Sequence, residues 1–180
     1  KMTSLYDGYH FCEYAEGMFN PFSVLNVFDG YKFENYWFQT GTPTFLVKML
    51  MDSNYDLRTL IDGVEANAAS FNEYRAESRN PIPLIYQSGY LTIKEYDPRF
   101  KTYQLAFPND EVRYGFMNFL LPFYSNIPDN EQDFYIGKFV HELESGNINA
   151  FLTRLQAFFA DIPYELNDQT ERHYQTVFYL

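Results

Sequence analysis

The chain has 180 residues, a formal net charge of −11 and 46% hydrophobic content. That composition excludes a disordered protein, and the acidity excludes a generally phosphate-seeking surface, so that any nucleic-acid contact has to be local. One cysteine, Cys12, excludes an internal disulfide and fits a reducing, cytoplasmic setting; no run approaches the ~20 apolar residues that span a bilayer, and no basic-then-apolar leader opens the chain.

Residues 5–19, with Gly8, Gly17 and several aromatics, read as a loop or irregular hairpin. Asn20-Pro21 marks a helix start, because Asn caps and Pro fits the first helical position; Val24, Leu25 and Phe28 follow at helical spacing. Thr42-Pro43 repeats the device, and Phe45, Leu46, Met49 and Leu50 form an apolar stripe to about Met51. A short strand is expected near Leu60–Val64 and a helix near Ser70–Ser78. A short apolar helix from Ile82 to Ser88 stops at Gly89, the usual C-terminal cap. Around Asp97-Pro-Arg-Phe100, Leu91 and Ile93 alternate with Thr92 and Lys94, and Tyr103, Leu105 and Phe107 alternate with Gln104 and Ala106. Period two on both sides of a turn predicts a hairpin, with Pro98 at the first central position of a type I turn.

The remainder predicts helices. Asn109 caps a helix with Asp110 and Glu111 in its first turn, where the helix dipole favours them, and with apolar positions Val112, Phe116, Phe119, Leu120 and Phe123. A second carries Ile136, Phe139, Val140 and Leu143 and ends at Gly146. A third carries Ile148, Phe151, Leu152, Leu155, Phe158 and Phe159 and ends before Pro163. The short joint Gly146-Asn147 predicts an antiparallel helical hairpin. A fourth helix begins near Asp168, and the chain stops inside its apolar pattern at Tyr174–Leu180 with no cap, which reads as a piece of a longer protein. The fold class expected is therefore mainly α with a small antiparallel hairpin: a winged-helix-like part followed by a helical bundle.

Little in the chain reads as chemistry. Gly41-Thr-Pro-Thr44 lacks the lysine and second glycine of a phosphate loop. His10, His141 and His173 lack the paired spacing of metal ligands, and position 145 is Ser, so His141-Glu142 opens no zinc motif. Cys12 has no cationic neighbour in sequence to activate it. No Gly-x-Ser-x-Gly elbow occurs. Asp129, Glu131, Asp133, Glu142 and Glu144 read as solvated helix faces and termini. Catalytic and metal residues are thus expected to be absent. Nucleic-acid contact rests on Lys94, Arg99 and Lys101 of the hairpin, which suit phosphates; the helix before it has no Lys or Arg to read a groove and is better suited to burial.

Six blocks, Tyr6-Asp-Gly-Tyr-His-Phe11, Asn20-Pro-Phe-Ser-Val-Leu25, Tyr36-Trp-Phe-Gln-Thr-Gly-Thr-Pro-Thr-Phe-Leu46, Tyr86-Gln-Ser-Gly-Tyr-Leu-Thr-Ile93, Phe107-Pro-Asn-Asp-Glu-Val-Arg113 and Glu171-Arg-His-Tyr-Gln175, resemble the AAA-ATPase-like proteins fused to a PD-(D/E)XK nuclease-like domain. They come in that family's order and cover nearly the whole chain. The resemblance implies that residues 1–107 end the ATPase region as lid and winged helix. Residues 108–180 would be a helical connector leading into a truncated nuclease-like domain, whose first helix opens at Glu171. The ATP and Mg sites would lie upstream, the nuclease carboxylates downstream, and the partners would be those two domains of the same chain. The segment itself would be non-catalytic and would couple nucleotide state to the downstream domain. An alternative, prompted by the acidic, Tyr-rich composition and the single Trp37, is a protein- or carbohydrate-binding module using surface rings and carboxylates.

Overall fold

A computed structural model describes residues 1–40, 44–53, 55–68, 71, 80–125, 127, 128, 131–162 and 171–179. The helix expected near 70–78, the Thr42-Pro43 start, Asp129 and the Asp168 start lie outside the described residues. The chain forms two compact units, Lys1–Phe116 and Met117–Leu180.

The first unit opens with a one-turn helix α1 (Met2–Tyr6), and the next residues turn back on themselves through an antiparallel bridge between Tyr9 and Met18. Helix α2 (Pro21–Gly30) begins where Asn20 accepts the backbone N–H groups of Phe22 and Ser23 at 3.0 and 3.4 Å. Its inward face is not the one the apolar spacing favours. Ser23 and Val27 are buried, whereas Leu25 and Phe28 are exposed, because a hydrogen bond from Ser23 to Glu111 fixes how the helix is turned. A 3₁₀ turn (Trp37–Thr40) and α3 (Thr44–Asp52) follow, the latter burying Leu46, Val47 and Leu50.

Next come α4 (Arg58–Asp62), β1 (Val64–Asn67), α5 (Ile82–Gln87), β2 (Thr92–Asp97) and β3 (Thr102–Ala106). The strand expected at Leu60–Val64 begins later. Asp56 accepts the Arg58 N–H at 3.1 Å and starts a helix through Leu60, and Gly63, at φ +94°, breaks it before the strand. The sheet order is β1-β3-β2, all antiparallel, so β1 pairs with β3, the second strand of the predicted hairpin, which becomes the central strand, and α5 lies between β1 and β2 in the chain. This is winged-helix-like connectivity. Helix α5 buries Ile82, Pro83 and Ile85 and ends before Gly89 at φ +80°.

Strict alternation fails in β2. The register slips between Ile93 and Glu95, leaving Lys94 as the extra residue of a bulge, and Leu91, Thr92 and Ile93 are all buried. Thr92 is covered because its hydroxyl accepts the His10 N–H at 2.7 Å and donates to the His10 carbonyl at 2.8 Å. The N-terminal loop thus lies over the face that period two leaves to solvent.

Helix α6 (Asp110–Tyr124) starts in the first unit and runs into the second. Asn109 caps it by accepting the Val112 N–H at 3.1 Å, as its sequence predicts. At Gly115 the Phe38 ring approaches so closely that a Cβ would sit 2.2 Å from it. Phe38 in turn packs with Trp37 and Tyr90, and Tyr90 with Phe116.

In the second unit, α7 (Gln132–Glu144) and α8 (Ile148–Ala160) form the predicted antiparallel hairpin. Phe139 meets both Phe151 and Phe158, and Glu142 meets Arg154 across the joint. Glu142 is therefore not a solvated face residue. It is buried and doubly bonded to the guanidinium, at 2.9 and 3.0 Å from Nε, which holds its carboxyl below the ordinary glutamate range. Helix α9 (Glu171–Tyr179) ends the described chain; Glu171 is exposed at its start and accepts from Gln175 at 2.8 Å.

Two glycines separate packing from propensity. Gly115→Ala is expected to cost about 1–3 kcal/mol through overpacking. Gly137→Ala, in an exposed stretch of α7 with nothing within 4 Å, is expected to add about 0.5–1 kcal/mol through helix propensity. Urea melts of the two variants check the opposite signs. A depressed Glu142 also gives pH a direction: its stabilisation is complete above the unfolded glutamate value and disappears as pH falls through the lower folded one. Thermal melts of wild type and Glu142→Gln should therefore differ at pH 7 and converge in strong acid.

Candidate functional site

Five of the six blocks fall in the first unit, and four of them meet around the start of α6. The bottom layer is backbone. Gly8, at φ +102°, lies so close to the Pro108 carbonyl that a Cβ would be 2.3 Å from its oxygen. No other residue fits that conformation and that gap together. The Lys94 ammonium, re-aimed by the bulge, donates to both carbonyls, Gly8 O at 3.1 Å and Pro108 O at 2.9 Å. Burial lowers its pKa, and the carboxylate of Asp7 opposes that shift.

Above this sits Glu111, which is fully buried. Its carboxylate accepts the Ser23 hydroxyl at 2.9 Å on one oxygen and 2.7 Å on the other, and the Trp37 N–H at 3.0 Å. Burial raises its pKa; the Trp37 N–H, the Ser23 hydroxyl and the Tyr36 N–H pull the other way. Sequence reasoning placed Glu111 only as a dipole-favoured first-turn acid, and it missed the clamp because Ser23 lies 88 residues away. The signal available was an Asp-Glu pair directly after a cap, of which only Asp110 faces outward. The Tyr9 phenol lies beside Glu111 and Asn20, and burial followed by the Glu111 charge pushes its pKa well up. Tyr6, also fully buried, both donates to the Glu34 carbonyl at 2.9 Å and accepts the Glu34 N–H at 3.1 Å.

Chemically the arrangement is a clamp. Its one buried carboxylate is held by donors on three sides. A cleft of about 410 Å³ beside it is lined by Thr3, Ser4, Asp7, Asp110 and Arg113 among others, with no His or Cys among the described residues of its wall. Among the described residues no group of three or more His, Cys, Asp or Glu is placed to hold a metal ion. No described helix is long and apolar enough to cross a membrane. Cys12 is exposed.

The three hairpin cations are not brought to one surface task. The Lys94 head is engaged by the two carbonyls. Arg99 is paired with Asp97, Nε to Oδ1 at 3.0 Å, and shares a shallow cleft of about 340 Å³ with Glu65 and Glu95. Lys101 is exposed in the turn, at φ +55°. The Trp37 ring is edge-on to Phe38 and Tyr90, at 5.1 and 4.9 Å between centroids, and so stands within an aromatic cluster rather than on a flat outer platform.

No family model and no solved structure matches the chain. Over 189 aligned residues it is 32% identical to an uncharacterised protein in the vnfD 5′ region of Azotobacter chroococcum mcd 1, and the match covers 99% of this chain and 35% of that protein. The chain thus spans about a third of the length of the curated relative it matches.

The clamp and the cations make different demands on mutation. Lys94→Met leaves two carbonyls without a donor and is expected to cost about 1–3 kcal/mol. Gly8→Ala is expected to cost at least about 2 kcal/mol, from strained φ and the clash together. Arg99→Ala and Lys101→Ala, at exposed positions, should stay within about 0.5 kcal/mol of wild type. Chemical denaturation of the four variants decides whether Lys94 belongs with the clamp or with the surface pair.

Proposed function

We propose that residues 1–180 serve as a non-catalytic lid, winged-helix and connector segment of a longer ATPase–nuclease-like protein, passing nucleotide state from an upstream core to a downstream domain. In this reading ATP and Mg belong to the upstream core, and nuclease carboxylates to the domain beyond. The partners are those two domains, and the compartment is cytoplasmic, in keeping with a lone exposed cysteine.

The observation that carries the reading is the direction in which the blocks point. Asp-Gly-Tyr, Asn-Pro-Phe-Ser, Tyr-Trp and Pro-Asn-Asp-Glu turn polar groups on one another, through Gly8, Ser23, Trp37 and Glu111, while Asp7, Asp110 and Arg113 of the same blocks line the cleft of about 410 Å³. A sequence held for packing of this kind is what a rigid lever needs. The matched relative, about three times as long, has room for domains on which such a lever would act. DNA contact by the hairpin fits less well, since Arg99 lies among carboxylates and the half-buried Lys94 head is engaged by two carbonyls. A sugar- or protein-binding platform also fits less well, because Trp37 belongs to the aromatic cluster.

The test is ATP turnover by the Azotobacter relative, intact and with the segment aligned to residues 1–107 removed, alongside calorimetric titration of this chain with ATP-Mg. Turnover should fall by about tenfold or more, because a lid completes the site it closes, and this chain should bind no ATP. Unchanged turnover, absence of hydrolysis by the intact relative, or ATP binding by residues 1–180 each overturns the reading.

A further inference from the structure

Helix α2 turns its apolar stripe to water. Phe22, Leu25 and Phe28 lie three residues apart and run as one slanting row on the side of the helix opposite the buried Ser23 and Val27. In the chain the same spacing continues past both helix ends, to Phe19 and to Tyr31. These five side chains are exposed by 45% (Phe19), 44% (Phe22), 68% (Leu25), 63% (Phe28) and 89% (Tyr31). At ~150–250 Å² for a large apolar side chain, they leave on the order of 600 Å² per copy open to water. That is at the upper end of the ~300–600 Å² that the largest apolar patch of a monomer exposes, and patches of this size mark interaction sites. The orientation is imposed from within. The Ser23 hydroxyl, held by the buried Glu111 carboxylate at 2.9 and 2.7 Å, keeps a small polar residue inside and Leu25 outside. If the core alone counted, burying Leu25 and Phe28 would be the favourable use of this helix.

We infer that this face is a self-association surface whose occupant is the same face of a second copy, related by a two-fold axis through Leu25 with the two helices antiparallel. The order of side chains selects this occupant. Aromatic, aromatic, Leu, aromatic, aromatic reads the same in both directions about Leu25. A two-fold contact requires a self-complementary patch of this kind. Antiparallel pairing sets Leu25 against Leu25, and Phe22 of each copy against Phe28 of the other. The open area agrees with a dimer, because each partner in a specific interface contributes roughly 600–1,000 Å². The charges agree as well. Asp29 is the one charged residue between positions 19 and 31, and it lies four residues from the axis. Antiparallel pairing therefore holds the two Asp29 about 12 Å apart along the helix at 1.5 Å per residue, more than the ~8 Å screening length at physiological salt. A parallel pair would set the two carboxylates together.

The experiment is sedimentation equilibrium of the 180-residue chain from about 1 to 100 μM, the range in which a micromolar Kd is read. Wild type is expected to reach the mass of two 21.4 kDa chains. Leu25→Asp should raise the dissociation constant by at least about a hundredfold, since it sets two carboxylates against each other in an apolar contact. Its circular dichroism should stay that of wild type, because Leu25 is largely exposed. Leu25→Lys should also be monomeric, and an equimolar mixture of the two variants should regain the dimer through an Asp–Lys pair on the axis. That rescue separates pairing from misfolding. Val140→Asp, in the apolar groove of the second unit, should dimerise as wild type does. A wild type that stays monomeric at every concentration, a Leu25→Asp dimer, a mixture without association, or a dimer lost in Val140→Asp would each overturn the inference. Sedimentation reads association and not turnover, so its outcome is independent of the lid reading.

Discussion

The approach of Gly8 to the Pro108 carbonyl is the contact on which the first unit depends. It brings the loop after α1 onto the residues that cap α6, and two carbonyls then point toward the same place without helix or sheet partners. Lys94 satisfies both. The bulge in β2 exists at the residue that has to reach them, so the irregular strand and the close backbone contact form one device. Buried carbonyls without donors are costly, and a lysine that supplies two donors from a partly apolar stem meets that need with a single side chain.

Glu111 extends the same device into the first turn of α6. A carboxylate buried without a cation is tolerated because its oxygens receive a hydroxyl and backbone N–H groups, and because the first turn of a helix is positive. The donors come from two distant parts of the chain: Ser23 from α2, and Tyr36 with Trp37 from the start of the 3₁₀ turn. A single acid therefore sets the rotation of α2 and the path of the chain into the aromatic cluster around Tyr90. Gly115 completes the fit by leaving room for the Phe38 ring against α6. Rigidity of this kind suits a segment whose proposed task is to transmit motion rather than to react.

The second unit is held differently. Ring contacts of Phe139 with Phe151 and Phe158, together with the Glu142–Arg154 pair, join two helices that otherwise expose much of their apolar surface. Both units leave apolar side chains exposed, among them Leu25 and Phe28 in the first and Leu152 and Phe178 in the second.

The order of elements was legible in the sequence wherever a local rule governs it. Asn20-Pro21 and Asn109 cap helices, Gly89 stops one, period two frames the hairpin, and Gly146-Asn147 joins two helices, because each effect is decided within a few residues. The identities that only the tertiary structure decided all involve partners far away in the chain. Leu25 and Phe28 face out and Ser23 faces in because Glu111 lies 88 residues on. Thr92 is buried because residue 10 covers it, and Lys94 is held by carbonyls at 8 and 108 rather than presented to a phosphate. Spacing reports the face of an element; which face is buried, and whether a charge is surface or clamp, is set by what packs against it.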